Sequence, residues 1–339
     1  MDQIVEDRSA LFRDVLTHLD NVRANPSTTT LDEELLRRAS RNADSHTSRS
    51  ILWQILAQGE STLQILQQDP RPLTRLLEQV VLSLPFNELK ETITSDKLEE
   101  GLRSPVVPVQ LLILAYLLKA ADSPSGAAFV ACSPSLTSTL IATWLSSEST
   151  EVADKSLDAL AALLAVDSPS TSTFVVAQAA SGEAHGQGLL WRRIFSDAQV
   201  YALLFEWTSL TNSKHNVSTK KGLQQATISQ GRLFDCIARL AQIDWSQITT
   251  SSLPDVERQF MRGNTTTQPF GGILRYAATD MIDPRDYLME VLRQDFFAKL
   301  LGVAEEINGR GVNSRMLQAI QVGAGAHSDS EVNGDGLHL

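Results

Sequence analysis

The chain has 339 residues, 42% hydrophobic but only 6% aromatic, and its 40 acidic against 29 basic side chains leave a net charge of −11. That length allows a large buried core, while the charge disfavours a phosphate-backbone binder and is met equally by a basic protein partner or an ordinary solvated surface. Leucine and alanine dominate and alternating β-branched runs are scarce, so the expected class is all-α.

The chain opens MDQIVEDRSALF, which is charged and lacks the apolar centre of a signal peptide. Over 1–23, Ile4, Leu11, Val15, Leu16 and Leu19 recur on one helical face, and Asn25-Pro26-Ser27 breaks the pattern. A second helix is expected over 31–41, then a helix pair over 50–58 and 62–68 before Pro70-Arg71-Pro72. Pro72 suits the first turn of a helix over 73–84, because its missing N–H has no helical partner there anyway. Residues 86–102 read as a short charged helical segment, either facing a groove or weakly ordered.

The clearest internal signal follows. Residues 112–125 (LILAYLLKAADSPS) align with 157–170 (LDALAALLAVDSPS), an offset of 45 residues, and Phe129-Val130 then falls on Phe174-Val175. Helix-bearing self-matches with a period of about 40–47 residues mark armadillo and HEAT repeats. In the second copy Ala153, Leu157, Leu160, Ala161 and Leu164 form one helical stripe. Thr150 is expected to cap that helix, Glu151 to reach Lys155 at i+4, and Asp167-Ser168-Pro169 to end it. A single such helix cannot bury its stripe alone and needs stacked neighbours.

Beyond the repeat, 180–188 is a loop whose glycines fit neither a dinucleotide nor a P-loop pattern. A helix pair over 189–209 carries Trp191, Phe195, Leu203, Leu204 and Trp207, and 211–221 is a polar loop. A third, weaker echo places Ile237, Leu240, Ile243 and Asp244 on Leu160, Leu163, Val166 and Asp167. A second polar loop covers 262–272, and a helix is expected over 272–280. Over 285–303 the inward stripe reads Leu288, Val291, Leu292, Phe296 and Leu300. The tail, 323–339, carries too little apolar material to pack and is expected to be disordered. The organisation expected is N-terminal helical repeats over 1–104, an armadillo-like core over 105–322, and the tail.

The chemistry-bearing residues are dispersed. Six histidines form no HExxH or zinc spacing, and no GxSxG elbow is present. Cys132 and Cys236 read as buried thiols of a reducing compartment. Asp154 and Asp158 share a helical face, which is ordinarily a solvated one. The basic clusters Arg37-Arg38, Arg192-Arg193 and Lys220-Lys221 are doublets, not the stripe that nucleic acid needs. The most apolar run, 106–118, is too short to span a bilayer. The expectation is therefore no catalytic, cofactor or metal site, no nucleic acid and no membrane.

Taken in order, 140–147, 151–166, Asp167-Ser168-Pro169 and 173–179 resemble an armadillo repeat: second helix, third helix, turn, next first helix. That resemblance implies a right-handed helical solenoid whose third helices line a concave groove. Asp158 and Ala162, with Ile113 and Leu117 one repeat earlier and Asp235 and Arg239 in the later echo, fall where nuclear-import receptors place groove tryptophan and asparagine. That signature is absent at each position, so an import role is disfavoured. Lys155, Asp158, Asp235 and Arg239 are the candidate groove residues for binding protein.

Three further segments, 188–195 (GLLWRRIF), 232–244 (RLFDCIARLAQID) and 270–280 (FGGILRYAATD), resemble the fungal HSM family of proteasome regulatory-particle base assembly chaperones. Some members of that family are also described as DNA mismatch repair proteins. The likeness covers roughly 105–300 and rests on helix-packing patterns. It implies a curved, non-enzymatic chaperone that grips the C-terminal domain of a base AAA ATPase subunit, in the cytoplasm and also the nucleus. A generic armadillo adaptor in transport or signalling is the alternative. A mismatch repair accessory factor is the third reading, disfavoured by the acidic charge.

Overall fold

The computed structural model describes residues 2–169, 186–261, 269–307, 309 and 311–325. Every regular element among these residues is a helix, in agreement with the all-α expectation. The chain divides into two compact units, Met1–Asp167 with Ala184–Leu190, and Ser168–Glu183 with Trp191–Leu339. The boundary expected at 104/105 separates kinds of repeat rather than compact bodies, and this division does not decide it. Residues 326–339 of the expected tail lie outside the described residues, and Gly323 still closes a helix.

The first unit holds α1 (Asp2–Ala24), α2 (Glu33–Asn42), α3 (Arg49–Leu63), α4 (Arg71–Ser83), α5 (Phe86–Leu89) and α6 (Ser95–Leu102). Helices α7 (Val107–Ala120), α8 (Pro124–Ala131), α9 (Pro134–Ser146) and α10 (Thr150–Asp167) complete it. Starts are set by side-chain caps: Asp32 accepts from the Leu35 amide at 2.9 Å, and Ser123 and Ser133 each accept from an amide three residues on at 3.3 Å. A proline follows each of those serines at the first helical position, where its fixed φ suits the turn. Helix α2 packs on α4, α4 on α7, and α7 on α10, while α3 flanks α4 and α8 and α9 flank α10. The buried stripe of α10 includes Ala153, Leu157, Leu160, Leu163 and Leu164, with Ala161 half-buried.

Several local expectations change. The helix pair over 50–68 is the single helix α3, ending at Leu63. A Cβ at Gly59, inside α3, would lie 2.5 Å from Leu77, so this glycine serves close approach to α4 and not a break. Segment 86–102 is ordered and packed, with Leu98 and Leu102 buried in α6. Ser149 and not Thr150 caps α10, accepting from the Val152 amide at 3.4 Å. Cys132 is exposed; only Cys236 is buried.

The two copies of Asp-Ser-Pro diverge. Asp122 stays at the surface and pairs with Lys119 at 2.7 Å. Asp167 is buried, its carboxylate accepting from the Leu190 amide at 2.6 Å and its carbonyl from the Gly188 amide at 2.9 Å. Phe174 and Val175, which extend the sequence match, lie outside the described residues.

The second unit takes α11 (Leu189–Phe195) from Trp191 onward, then α12 (Ala198–Glu206), α13 (Lys220–Ile243), α14 (Trp245–Thr249) and α15 (Pro254–Glu257). Helix α16 (Gly272–Arg275) continues as a π-turn over Tyr276–Asp280, followed by α17 (Tyr287–Glu306) and α18 (Ser314–Gly323). An aromatic chain forms its core, with Trp191 on Phe195 at 5.5 Å, Tyr201 on Phe205 at 5.0 Å and Phe205 on Tyr276 at 4.7 Å. Buried Gln230 ties the ends of two segments by donating to the Thr208 and Met281 carbonyls at 2.8 and 2.7 Å. Gly323 lets α18 close on α17, since a Cβ there would lie 2.4 Å from Phe297.

Helix α17 presents a different face from the one expected. Phe296 and Leu300 are buried as predicted, together with Met289 and Phe297, whereas Leu288, Val291 and Leu292 are exposed. Among the described residues no single helix is long and apolar enough to cross a membrane; the apolar pair α8 and α9 bends by 94°.

Candidate protein-binding surface

Lys155 and Asp158 stand on α10 in the first unit. The Lys155 ammonium donates to Glu78 of α4 at 2.9 Å, so the expected Glu151 partnership is replaced by a bridge between helices 77 residues apart in sequence. The two ends differ in environment: the Lys155 side chain is 40% exposed and that of Glu78 only 12%. Nearby, the Tyr116 hydroxyl on α7 donates to Glu60 of α3 at 2.6 Å, and burial with that carboxylate pushes the phenol well above its ordinary range. Asp158 is exposed. One repeat earlier the equivalents Ile113 and Leu117 are buried, and a Cβ at Gly101 of α6 would lie 2.4 Å from Ile113. At α7, therefore, both positions that the armadillo resemblance assigns to a groove are buried, Ile113 against α6.

Asp235 and Arg239 stand on α13 in the second unit, exposed and one helical turn apart. Lys299 of α17 donates to Asp235 at 2.8 Å and pairs with Asp295 at 3.1 Å. The hydrogen bond to Asp235 is the main reason that the Lys299 ammonium is held above its usual range. Next to Asp235, burial pushes the Cys236 thiol up to about 12, so it stays protonated and unreactive at neutral pH. The four candidates thus form two helix-borne pairs, one in each unit.

Sequence reading missed two features. On α17, Tyr287, Leu288, Val291 and Leu292 make a contiguous apolar face, with Tyr287 83% and Leu288 65% exposed. Their i, i+1, i+4, i+5 spacing was visible, but so was the competing Met289, Phe296, Phe297 and Leu300 face that won the core. On α2 and α4 four arginines meet at one cleft; in sequence they lie far apart as ordinary surface charges.

His215 and Ser229 come within 3.1 Å, yet they make no nucleophilic pair. Ser229 is fully buried and its hydroxyl donates to the Gln225 carbonyl at 2.9 Å, which directs its proton away from the imidazole. Among the described residues no group of three or more His, Cys, Asp or Glu side chains converges in metal-ligand geometry. No protein-family model matches the chain, and no curated protein matches it in sequence.

Proposed function

We propose that this chain is a non-enzymatic binding scaffold of armadillo/HEAT type, an assembly chaperone whose helical surface holds the C-terminal domain of a proteasome base AAA ATPase subunit. The observation that carries the scaffold reading is the row α2, α4, α7, α10, in which helices from successive parts of the chain pack side by side and α7 and α10 bear the two copies of the match offset by 45 residues. Stacked helix pairs of this kind give extended surfaces that bind other proteins over many small contacts. The apolar face of α17 adds support, because large contiguous apolar patches on soluble surfaces usually mark interaction sites. The ATPase partner comes from the resemblance to the HSM family.

The test is calorimetric titration of the full chain with purified C-terminal domains of the base ATPases. We expect one domain to bind, and Asp158→Arg with Asp235→Arg to weaken binding while melting stays near wild type. Asp235 has only an exposed ion pair to lose, worth about 0–1 kcal/mol. Undiminished affinity in the double variant places the contact surface elsewhere, and no binding to any base ATPase ends the chaperone reading.

A further inference from the structure

Helices α2 and α4 lie side by side in the first unit, joined where the Ser40 hydroxyl donates to the Arg75 carbonyl at 3.5 Å. Between them is an open cleft of about 680 Å³ whose wall carries Arg37, Arg41, Arg71 and Arg75. The arginines form two i, i+4 pairs, one on each helix, and all four side chains are exposed. Arg37 is ion-paired with Glu34. Arg41, Arg71 and Arg75 make no side-chain hydrogen bond or ion pair within the described residues. Glu34 registers the local field: the hydrogen bond from Arg37, aided by the charges of Arg37, Arg41 and Arg38, holds its carboxyl below the usual range.

Neighbouring residues at i, i+4 on a helix are about 6 Å apart, well inside the screening length of about 10 Å at ordinary ionic strength, so the charges reinforce one another. Gathering them on a chain of net charge −11 creates a local reversal of sign. Each guanidinium offers a planar fork that fits a carboxylate in two-point contact. An extended chain rising about 3.3 Å per residue puts alternate side chains about 6–7 Å apart, comparable to the i, i+4 spacing of the arginines along each helix. Glu33, Glu34 and Asp69 line the same cleft, leaving the four arginines a small local excess of positive charge, while the net charge of the whole chain opposes a long phosphate polymer more than a short peptide.

We propose that the cleft between α2 and α4 binds an extended acidic peptide segment of a partner protein, with the carboxylates held by the Arg37/Arg41 and Arg71/Arg75 forks. The site does not depend on the ATPase reading, and its loss leaves the scaffold reading intact. The experiment titrates full-length protein into fluorescein-labelled hexaglutamate and reads anisotropy at low salt, with unlabelled hexaglutamate and an oligothymidylate as competitors. Saturable binding is expected, weakened about tenfold or more by Arg41→Glu with Arg75→Glu, which corresponds to losing about 1.4 kcal/mol. Circular dichroism checks that the variant is folded, and Arg41→Gln with Arg75→Gln carries the test if it is not. Absence of saturable binding, equal binding by the folded variant, or displacement by oligothymidylate at lower concentration than by hexaglutamate overturns the proposal.

Discussion

Lys155 changed meaning between sequence and structure. On the helix alone it is a surface lysine with a glutamate one turn back, and its removal should cost little. In the fold its ammonium donates to the Glu78 carboxylate, which is largely shielded from water. Lys155→Ala should therefore destabilise the chain by about 1–3 kcal/mol, the cost of leaving a shielded charged acceptor unpaired. Adding Glu78→Leu should restore most of that loss, since an apolar replacement removes the stranded charge. Urea denaturation of the two single variants and the double variant measures the coupling; additive effects would show that the bridge contributes nothing.

His215 supplies the pH dependence. Burial, with Arg232 adding to it, lowers its folded pKa below the ordinary histidine range. It packs edge-on against Trp207 at 4.9 Å and faces Ser229. The unfolded chain consequently binds the proton more readily than the folded one. Stability is complete above the unfolded pKa of about 6.5 and falls as pH drops below it toward the folded value. His215→Gln should flatten that slope when melting is compared between neutral and mildly acidic buffer. A slope unchanged by the substitution would assign the acid sensitivity to other groups.

At the scale of the element, α17 shows how one helix can carry two apolar faces. Tyr287, Leu288, Val291 and Leu292 compete with Met289, Phe296, Phe297 and Leu300, and the second set is buried because α13 and α18 pack there. The ring of Phe296 lies 4.7 Å from Phe234 on α13, a contact that no periodicity along α17 reveals. Leu288→Gln is expected to change stability by no more than about 0.5 kcal/mol, whereas Phe296→Ala should cost about 3–5 kcal/mol. Leu160→Ala on α10, whose aligned position in the first copy, Ala115, is also buried, should cost about 2–5 kcal/mol. Thermal melts of the three variants check the assignment, and equal losses at Leu288 and Phe296 would mean that the buried face of α17 is wrong.

For the whole molecule the charge of −11 admits two readings, attraction of a basic partner or plain solvation. They separate kinetically. If association with an ATPase domain is steered by charge, its rate should fall as ionic strength rises, because screening shortens the range of the field. Stopped-flow association at low and high salt reads this directly, and a rate indifferent to salt favours solvation.

Periodicity and punctuation determined the all-helical class and the buried stripe of α10 by themselves. Leu160, Leu163 and the first-turn Pro72 of α4 obey rules that act within a few residues, so they could be read without a fold. The tertiary structure decided what depends on distant neighbours. It brought Glu78 to Lys155, chose between the two faces of α17, turned Asp167 inward while leaving Asp122 outside, and gathered Arg37, Arg41, Arg71 and Arg75 at one cleft. Local rules see a helix face only as apolar or polar. Which partner meets that face is set by the packing of whole helices, where burial of apolar surface outweighs the preference of any single side chain.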